Sequence, residues 1–202
     1  MLLMARYPDN YFDLAIVDPP YGIGDKFKGG SSGKMNFNEI IDKGWDNETP
    51  SKEYFAELKR VSKNQIIWGG NYFLDNLGST RCVIIWDKII SEDFSLAMLE
   101  MAWTSFDKLA KIFKFSVPKS GGKIHPTQKP VKLYEWILSR YAEPNQKILD
   151  THLGSGSIAI AIDNVNKIEK MNLTLTACEL DTDYFNAAIK RIEQQTAQQT
   201  IF

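Results

Sequence analysis

Four consecutive residues, Asp18-Pro19-Pro20-Tyr21, carry the most specific chemistry in the sequence. They follow Phe12 to Val17, an apolar run that reads as a buried strand, and proline cannot continue a central ladder, so the strand ends there. A strand-end corner of this composition suits the activation of an exocyclic amine on a nucleobase. The lone pair of such a nitrogen is delocalised into the ring, so it attacks poorly. A carboxylate accepting one N–H and a main-chain carbonyl accepting the other draw the nitrogen toward tetrahedral geometry and free the lone pair. Asp18 offers the carboxylate. Pro19 has no N–H but keeps its carbonyl, and the two prolines stiffen the turn that aims it. Tyr21 offers a flat face to an extruded base, a contact worth about 1–3 kcal/mol. The assistance is preorganised electrostatics rather than covalent catalysis.

A second group lies far along the chain, in Asp150-Thr151-His152-Leu153-Gly154-Ser155-Gly156-Ser157. Here a strand runs through a glycine turn into a helix, so helix N-terminal N–H groups face the crevice beyond the strand ends. The small residues Gly154, Ser155 and Gly156 let a ligand approach the main chain closely. Glu179 ends the next strand and is placed to accept hydrogen bonds from two ribose hydroxyls. The pattern fits a nicotinamide dinucleotide and S-adenosylmethionine alike, and also a tight turn without a ligand. A sulfonium methyl is already activated and needs no metal. The two histidines (His125, His152) and two cysteines (Cys82, Cys178) have no metal-ligand spacing.

The elements that must position these groups alternate short apolar runs with amphipathic segments, the pattern of an α/β sheet covered by helices. Strands are expected at Phe12–Val17, Gln65–Trp68, Cys82–Trp86, Lys147–Leu149 and Leu173–Cys178. Leu99–Phe106 and Lys111–Val117 read as two strands joined by a turn near Asp107, an antiparallel edge. Thr49-Pro50 reads as an N-cap and first-turn proline, with Tyr54, Phe55, Leu58 and Val61 on one helix face. Pro130 opens a helix with Tyr134, Ile137, Leu138 and Tyr141 inward, and further helices start near Ser157 and at the cap Asp181. Residues 22–50 are glycine-rich and read as a mobile loop, a lid or DNA-contact candidate.

With 202 residues, 44% hydrophobic and 24% charged, the sequence has the make-up of one globular domain. Its net charge of −1 excludes a uniformly basic nucleic-acid coat but not a local basic face. Seven lysines, at 108, 111, 114, 119, 123, 129 and 132, fall between Lys108 and Tyr134 with no Asp or Glu before Tyr134. Lys111, Lys114, Lys119 and Lys123 are the candidates for tracking a phosphate backbone. A solvated face balanced by Glu39, Asp42, Asp46 and Glu48 fits the same run equally well. No apolar run approaches a membrane span and no signal peptide is visible. The two cysteines read as buried, reduced thiols, and the expected location is cytoplasmic.

Taken in order, the motifs resemble the S-adenosylmethionine-dependent DNA amino-methyltransferases that modify adenine N6 or cytosine N4. The resemblance runs from Phe12-Asp13-Leu14-Ala15-Ile16-Val17-Asp18-Pro19-Pro20-Tyr21-Gly22 to the terminal helix. His125-Pro126-Thr127-Gln128-Lys129-Pro130 between the two motifs is similar to the permuted β group. The resemblance implies a Rossmann-like class I methyltransferase fold, a mostly parallel twisted sheet with helices on both faces and permuted motif order. It implies a catalytic role for Asp18, Pro19, Pro20 and Tyr21, S-adenosylmethionine as cofactor, and DNA as substrate. Cofactor contacts are then expected from Thr127, Lys129, Asp150, Gly154, Ser155, Gly156 and Glu179, with Lys129 suited to the methionine carboxylate. Trp68-Gly69-Gly70-Asn71-Tyr72-Phe73 resembles the family's segment behind the catalytic strand. It reads as a turn with Asn71 as N-cap in preference to a direct contact.

The sequence also departs from the family. Thr151 and His152 stand where the commonest cofactor turn has Pro and Phe, and His152 reads as a packing residue rather than a catalyst. Met1–Arg6 falls inside the helix that should follow a first strand, so either one N-terminal strand is lacking or another segment covers that edge. There is no room for a separate target-recognition domain. The 22–50 loop and the lysine-rich stretch must serve, or a second subunit of a homodimer must help. An aspartate at the first motif position favours adenine N6. Cytosine N4, and a truncated inactive domain that only binds DNA, are the alternatives. An NAD-dependent oxidoreductase leaves Asp18-Pro19-Pro20-Tyr21 unexplained. Cytosine C5 chemistry needs a cysteine beside proline, whereas Cys82 follows Arg81 and Cys178 sits between Ala177 and Glu179.

Overall fold

The computed structural model describes residues 1–23, 46–93, 97–116 and 128–197. Among the described residues seven strands form one sheet: β1 (Phe12–Val17), β2 (Ser62–Trp68), β3 (Val83–Asp87), β4 (Leu99–Thr104), β5 (Lys111–Lys114), β6 (Lys147–Asp150) and β7 (Thr174–Ala177). Their spatial order is β5-β3-β4-β2-β1-β6-β7. All pairings are parallel except those of β4, which runs against both β2 and β3. The helices are α1 (Lys52–Val61), α2 (Leu74–Leu77), α3 (Val131–Tyr141), α4 (Ser157–Ile168) and α5 (Thr182–Ala197).

The sheet is covered on both faces because its central strands are apolar on both. Leu14 and Ile16 of β1 join Ile66, Trp68, Ile84 and Ile148 under α3 and α4. Ala15 and Val17 face the other way, with Ile67 and Leu149, onto Tyr54, Phe55, Leu58 and Val61 of α1. Those four α1 residues are the face expected from their spacing. On α3 the expected Tyr134, Ile137, Leu138 and Tyr141 are buried, and Leu133 joins them.

Topology dictates where the site lies. The chain winds outward from β1 to β2 on one side and resumes on the other with β6, so the order reverses between β1 and β6. A crevice beyond the strand ends opens at such a switch point. The residues that leave β1 and β6, from Asp18 and Thr151 onward, therefore meet at one edge. Because β4 is antiparallel, its first residues, Leu99 and Glu100, return to that same edge, opposite Asp87 and Trp86.

Several local expectations are corrected. β4 and β5 do not pair with one another. Both sides of β4 are taken by β2 and β3, so β5 adds in parallel to the outside of β3. The residue before α1 is Ser51, not Thr49, and Pro50 lies ahead of the helix. Asn71 is inside a 3-10 turn, Gly70–Tyr72, whose preceding residue is Gly69. Cys82 is buried as expected, whereas Cys178 lies just beyond β7 and is half-buried. Of the 22–50 loop, residues 24–45 lie outside the described residues. Among the described residues no helix is long and apolar enough to cross a membrane.

Candidate active site

The proline corner is braced from three directions. The Tyr21 and Gly22 backbone N–H groups donate to Asp46 Oδ1 at 2.5 and 3.0 Å. Asp46 is thus a buried anchor for the start of the loop rather than a surface counter-charge. Burial pushes its carboxyl up from the usual range, against the pull of those N–H bonds. The Tyr21 hydroxyl donates to Asp18 Oδ1 at 2.6 Å. Its ring stacks on Tyr72 (centroids 5.0 Å, interplanar 15°) and meets Phe73 edge-on at 6.1 Å. Behind the ring, Gly69 has φ +69°, and a Cβ there would lie 2.2 Å from Tyr21 Cε1. The Trp68–Phe73 segment therefore touches the proline corner directly, against the expectation of a plain capping turn.

Lys129 completes the corner. Its Nζ is 2.5 Å from Asp18 Oδ2, 3.1 Å from Glu100 Oε2 and 3.3 Å from the Tyr21 hydroxyl. A lysine ammonium has three donors, and these three partners take them all. Its donors serve Asp18, Glu100 and Tyr21, and the residue lines the same cavity as the glycine turn. The Lys129 side chain is only 1% exposed. Burial alone would lower its pKa, but Asp18 and Glu100 outweigh it and hold the ammonium above its ordinary value. For Glu100, burial raises and Lys129 and Lys88 lower, leaving the carboxyl below its usual range. Burial, with the charges of Asp18 and Glu100, raises the Tyr21 phenol well above 10, so it stays protonated and donates.

The glycine turn is built with equal economy. Gly154 and Gly156 have φ +53° and +73°, and a Cβ on Gly156 would lie 2.8 Å from Ile192 Cδ1 of α5. Glu179 Oε2 accepts the Gly154 N–H at 2.8 Å, and its Oε1 accepts the Asp181 N–H at 3.1 Å. Arg191 donates to the Ser155 carbonyl at 2.7 Å and to Ser157 Oγ at 3.0 Å, tying α5 to the turn. Beneath it the buried Asp150 carboxylate accepts the His152 backbone N–H at 2.9 Å. Burial raises Asp150 to about 7. Burial lowers His152 to about 4, so its ring is neutral near pH 7. Its Nδ1 is 3.0 Å from Thr151 Oγ1, which is 2.7 Å from the Tyr54 hydroxyl.

Both motifs open into one cavity. Asp18, Pro20, Lys129 and Tyr134 line it together with Thr151, His152, Gly154, Ser155 and Glu179. Pro19, Tyr21, Asp150 and Gly156 are neighbours of these residues in sequence and do not themselves line it. Of the candidate DNA contacts, Lys114 lies at the active edge, 3.9 Å from Asp87 and 68% exposed. Lys111 is exposed too, but opposite Ile84 and so three residues below that edge. Thr127, Lys119 and Lys123 lie outside the described residues. Sequence reasoning missed Asp46, Gly69, Glu100 and Arg191 as site residues. Only Gly69-Gly70 after a strand gave a visible signal, as a turn. Among the described residues no group of three His, Cys, Asp or Glu could hold a metal ion.

A family model described as DNA methylase, N6_N4_Mtase, matches residues 99–190. The type II methyltransferase M.HpaI of Haemophilus parainfluenzae is 20% identical over 95% of this chain and 71% of its own. Among solved structures, the M1.HpyAVI–SAM complex superposes with a TM-score of 0.57 at 20% identity, covering 95% of this chain and 92% of that one. The PvuII DNA methyltransferase, described as cytosine-N4-specific, gives 0.59 at 14% identity over 97% and 88%. The putative DNA modification methylase TTHA0409 from Thermus thermophilus, crystallised with S-adenosyl-L-methionine, gives 0.59 at 15% identity over 98% and 93%. The fold is that of the class I methyltransferases, and the resemblance to the DNA amino-methyltransferases holds in sequence over residues 99–190 and in fold over nearly the whole chain.

Proposed function

We propose that this protein transfers a methyl group from S-adenosylmethionine to the exocyclic amino group of a flipped DNA base, with adenine N6 as the favoured acceptor. The observation that carries the reading is the shared cavity: Asp18 and Pro20 line the same space as Gly154, Ser155 and Glu179. The cofactor fits the residues present. The left-handed Gly154 lines the cavity and leaves its main chain open to close approach. Each Glu179 oxygen accepts a single main-chain N–H and keeps a lone pair for a ribose hydroxyl. S-adenosylmethionine supplies an electrophilic methyl on a positively charged sulfur, which needs no metal to activate it.

The protein's part is to sharpen the nucleophile. Asp18, ion-paired with Lys129 and bonded by Tyr21, is fixed in place before the base arrives, so no reorganisation is needed during attack. Each of its oxygens retains a lone pair, one of which accepts an amine N–H. The Pro19 carbonyl accepts the other. As the nitrogen bonds to the methyl carbon, the carbon–sulfur bond would break with its electron pair left on sulfur as a neutral thioether, and the nitrogen would shed a proton to the Asp18 carboxylate that already accepts its N–H. Flipping the base costs a few kcal/mol. Stacking on the Tyr21–Tyr72 surface and contacts from Lys114, Lys111, Lys119 and Lys123 to phosphates offset that cost.

Asp18 at the first motif position supports adenine, while the fold it shares with a cytosine-N4-specific enzyme keeps cytosine N4 as the second reading. Nucleoside mass spectrometry of DNA incubated with the protein and S-adenosylmethionine tests the choice. N6-methyladenine is the expected product. N4-methylcytosine would transfer the assignment to the second base, and the absence of any methylated nucleoside with folded protein would remove the enzyme reading.

A further inference from the structure

The mechanism leaves two charged residues at the site edge without a role, Glu100 and Lys88. Glu100 reaches the edge because β4 runs against its neighbours, and its two oxygens are divided between lysines. Oε2 is 3.1 Å from Lys129 Nζ and Oε1 is 2.8 Å from Lys88 Nζ. With Asp18 this makes a row of alternating charges, Lys88–Glu100–Lys129–Asp18, running from the rim to the cavity. The Glu100 and Lys88 side chains are each 20% exposed. Placing a carboxylate and an ammonium out of water is costly, and an apolar pair would often be as stable, so the row is not explained by stability alone.

We infer that Glu100 is a positioning residue for the proposed methyl transfer: it fixes the Lys129 ammonium, protonated, against Asp18. A lysine is a point charge on a flexible four-carbon stem and does not hold a geometry by itself. Glu100, Asp18 and the Tyr21 hydroxyl take its three N–H groups and form a tripod that sets its place. Glu100 also shares the positive charge, so Lys129 orients Asp18 without fully neutralising its pull on the amine N–H. The charged and titratable groups around this unit are Lys88 just after β3, Asp18 and Tyr21 from the corner after β1, Asp46 beyond that corner, Tyr134 from α3 and Asp150 from the end of β6. Lys88 draws on the other Glu100 oxygen and keeps that carboxylate ionised.

The kinetic arm of the test rests on the methyltransferase reading, and the spectroscopic arm does not. Glu100→Gln keeps the side chain's size and removes its charge; Glu100→Asp keeps the charge and shortens the reach. Hydrogen exchange of the Lys129 ammonium, followed by 15N NMR on the full chain and assigned by its loss in Lys129→Met, reads the tripod directly. Glu100→Gln is expected to speed this exchange about tenfold, the equivalent of one pKa unit of lost charge stabilisation. It should also move the alkaline limb of the kcat–pH profile to lower pH, with KM for DNA and for S-adenosylmethionine within about twofold. Glu100→Asp should stay closer to wild type in both readouts, whereas a mere packing role predicts the reverse order. Wild-type exchange and pH profile in Glu100→Gln, or a larger defect in Glu100→Asp than in Glu100→Gln, would overturn the inference. If the wild-type protein transfers no methyl group, the functional reading fails, and the exchange measurement still decides the role of Glu100.

Discussion

Gly69→Ala tests how the proline corner is built. Gly69 has φ +69°, and the added Cβ would stand 2.2, 2.5 and 2.8 Å from Cε1, Cδ1 and Cζ of Tyr21. Two costs follow. Holding an alanine in the left-handed region costs about 1–2 kcal/mol, and forcing a methyl into packed space adds roughly 1–3 kcal/mol. The ring escapes the second cost only by swinging off, which gives up the 2.6 Å bond to Asp18 and the stacking on Tyr72. Urea unfolding of the variant and of wild type gives the cost in stability, and kcat gives the consequence for Asp18. Gly69→Ala should be less stable than wild type by about 2–5 kcal/mol, the two costs together, or by about 1–2 kcal/mol with methyl transfer reduced at least tenfold. A loss of no more than about 1–2 kcal/mol with full activity would refute the claim that Tyr21 is seated against Gly69.

Other perturbations follow from the same geometry. Asp150→Asn should stabilise the protein at alkaline pH. A buried carboxyl raised from 3.8 to about 7 loses stability as pH climbs through that window. The gain, on the order of 4 kcal/mol at pH 8 and vanishing by pH 4, is read from unfolding at the two pH values. His152 works in the opposite direction, because burial lowers it to about 4, so its contribution is intact above pH 6.5 and falls as acid is added. His152→Phe should therefore flatten the acid limb of a thermal-stability profile. Arg191→Met removes both bonds to the glycine turn and should weaken S-adenosylmethionine binding measured by calorimetry, while costing roughly 1–3 kcal/mol of stability. Lys114→Gln, at the active edge, should reduce the salt dependence of DNA binding more than Lys111→Gln. Equal slopes would return both lysines to the solvated-face reading.

Much of this architecture was legible from local signals. Phe12–Val17 could be read to the residue because an apolar run meets two prolines. The inward faces of α1 and α3 followed from spacing at three and four residues. What failed was pairing across distance. Leu99–Thr104 and Lys111–Lys114 are adjacent in sequence, yet β4 is already satisfied on both sides and β5 goes elsewhere. The same limit hid much of the site. Asp46 and Arg191 act on backbone groups some 25 and 36 residues away, and nothing in their neighbourhoods marks them. Glu100 lies at the start of an ordinary-looking strand and gains meaning only once that strand runs backward to the site edge. Lys129 was found through its motif but without its buried partners, since these come from two distant strand ends.

The central claim, that the proline corner acts on a cofactor held at the glycine turn, meets its most direct test in Asp18→Ala. Calorimetric titration with S-adenosylmethionine and transfer of labelled methyl to unmethylated DNA are measured on the same preparations of variant and wild type. Cofactor binding within a few-fold of wild type, together with loss of transfer, is the predicted result. Undiminished transfer by the variant, or failure of the wild-type protein to bind S-adenosylmethionine, would contradict it.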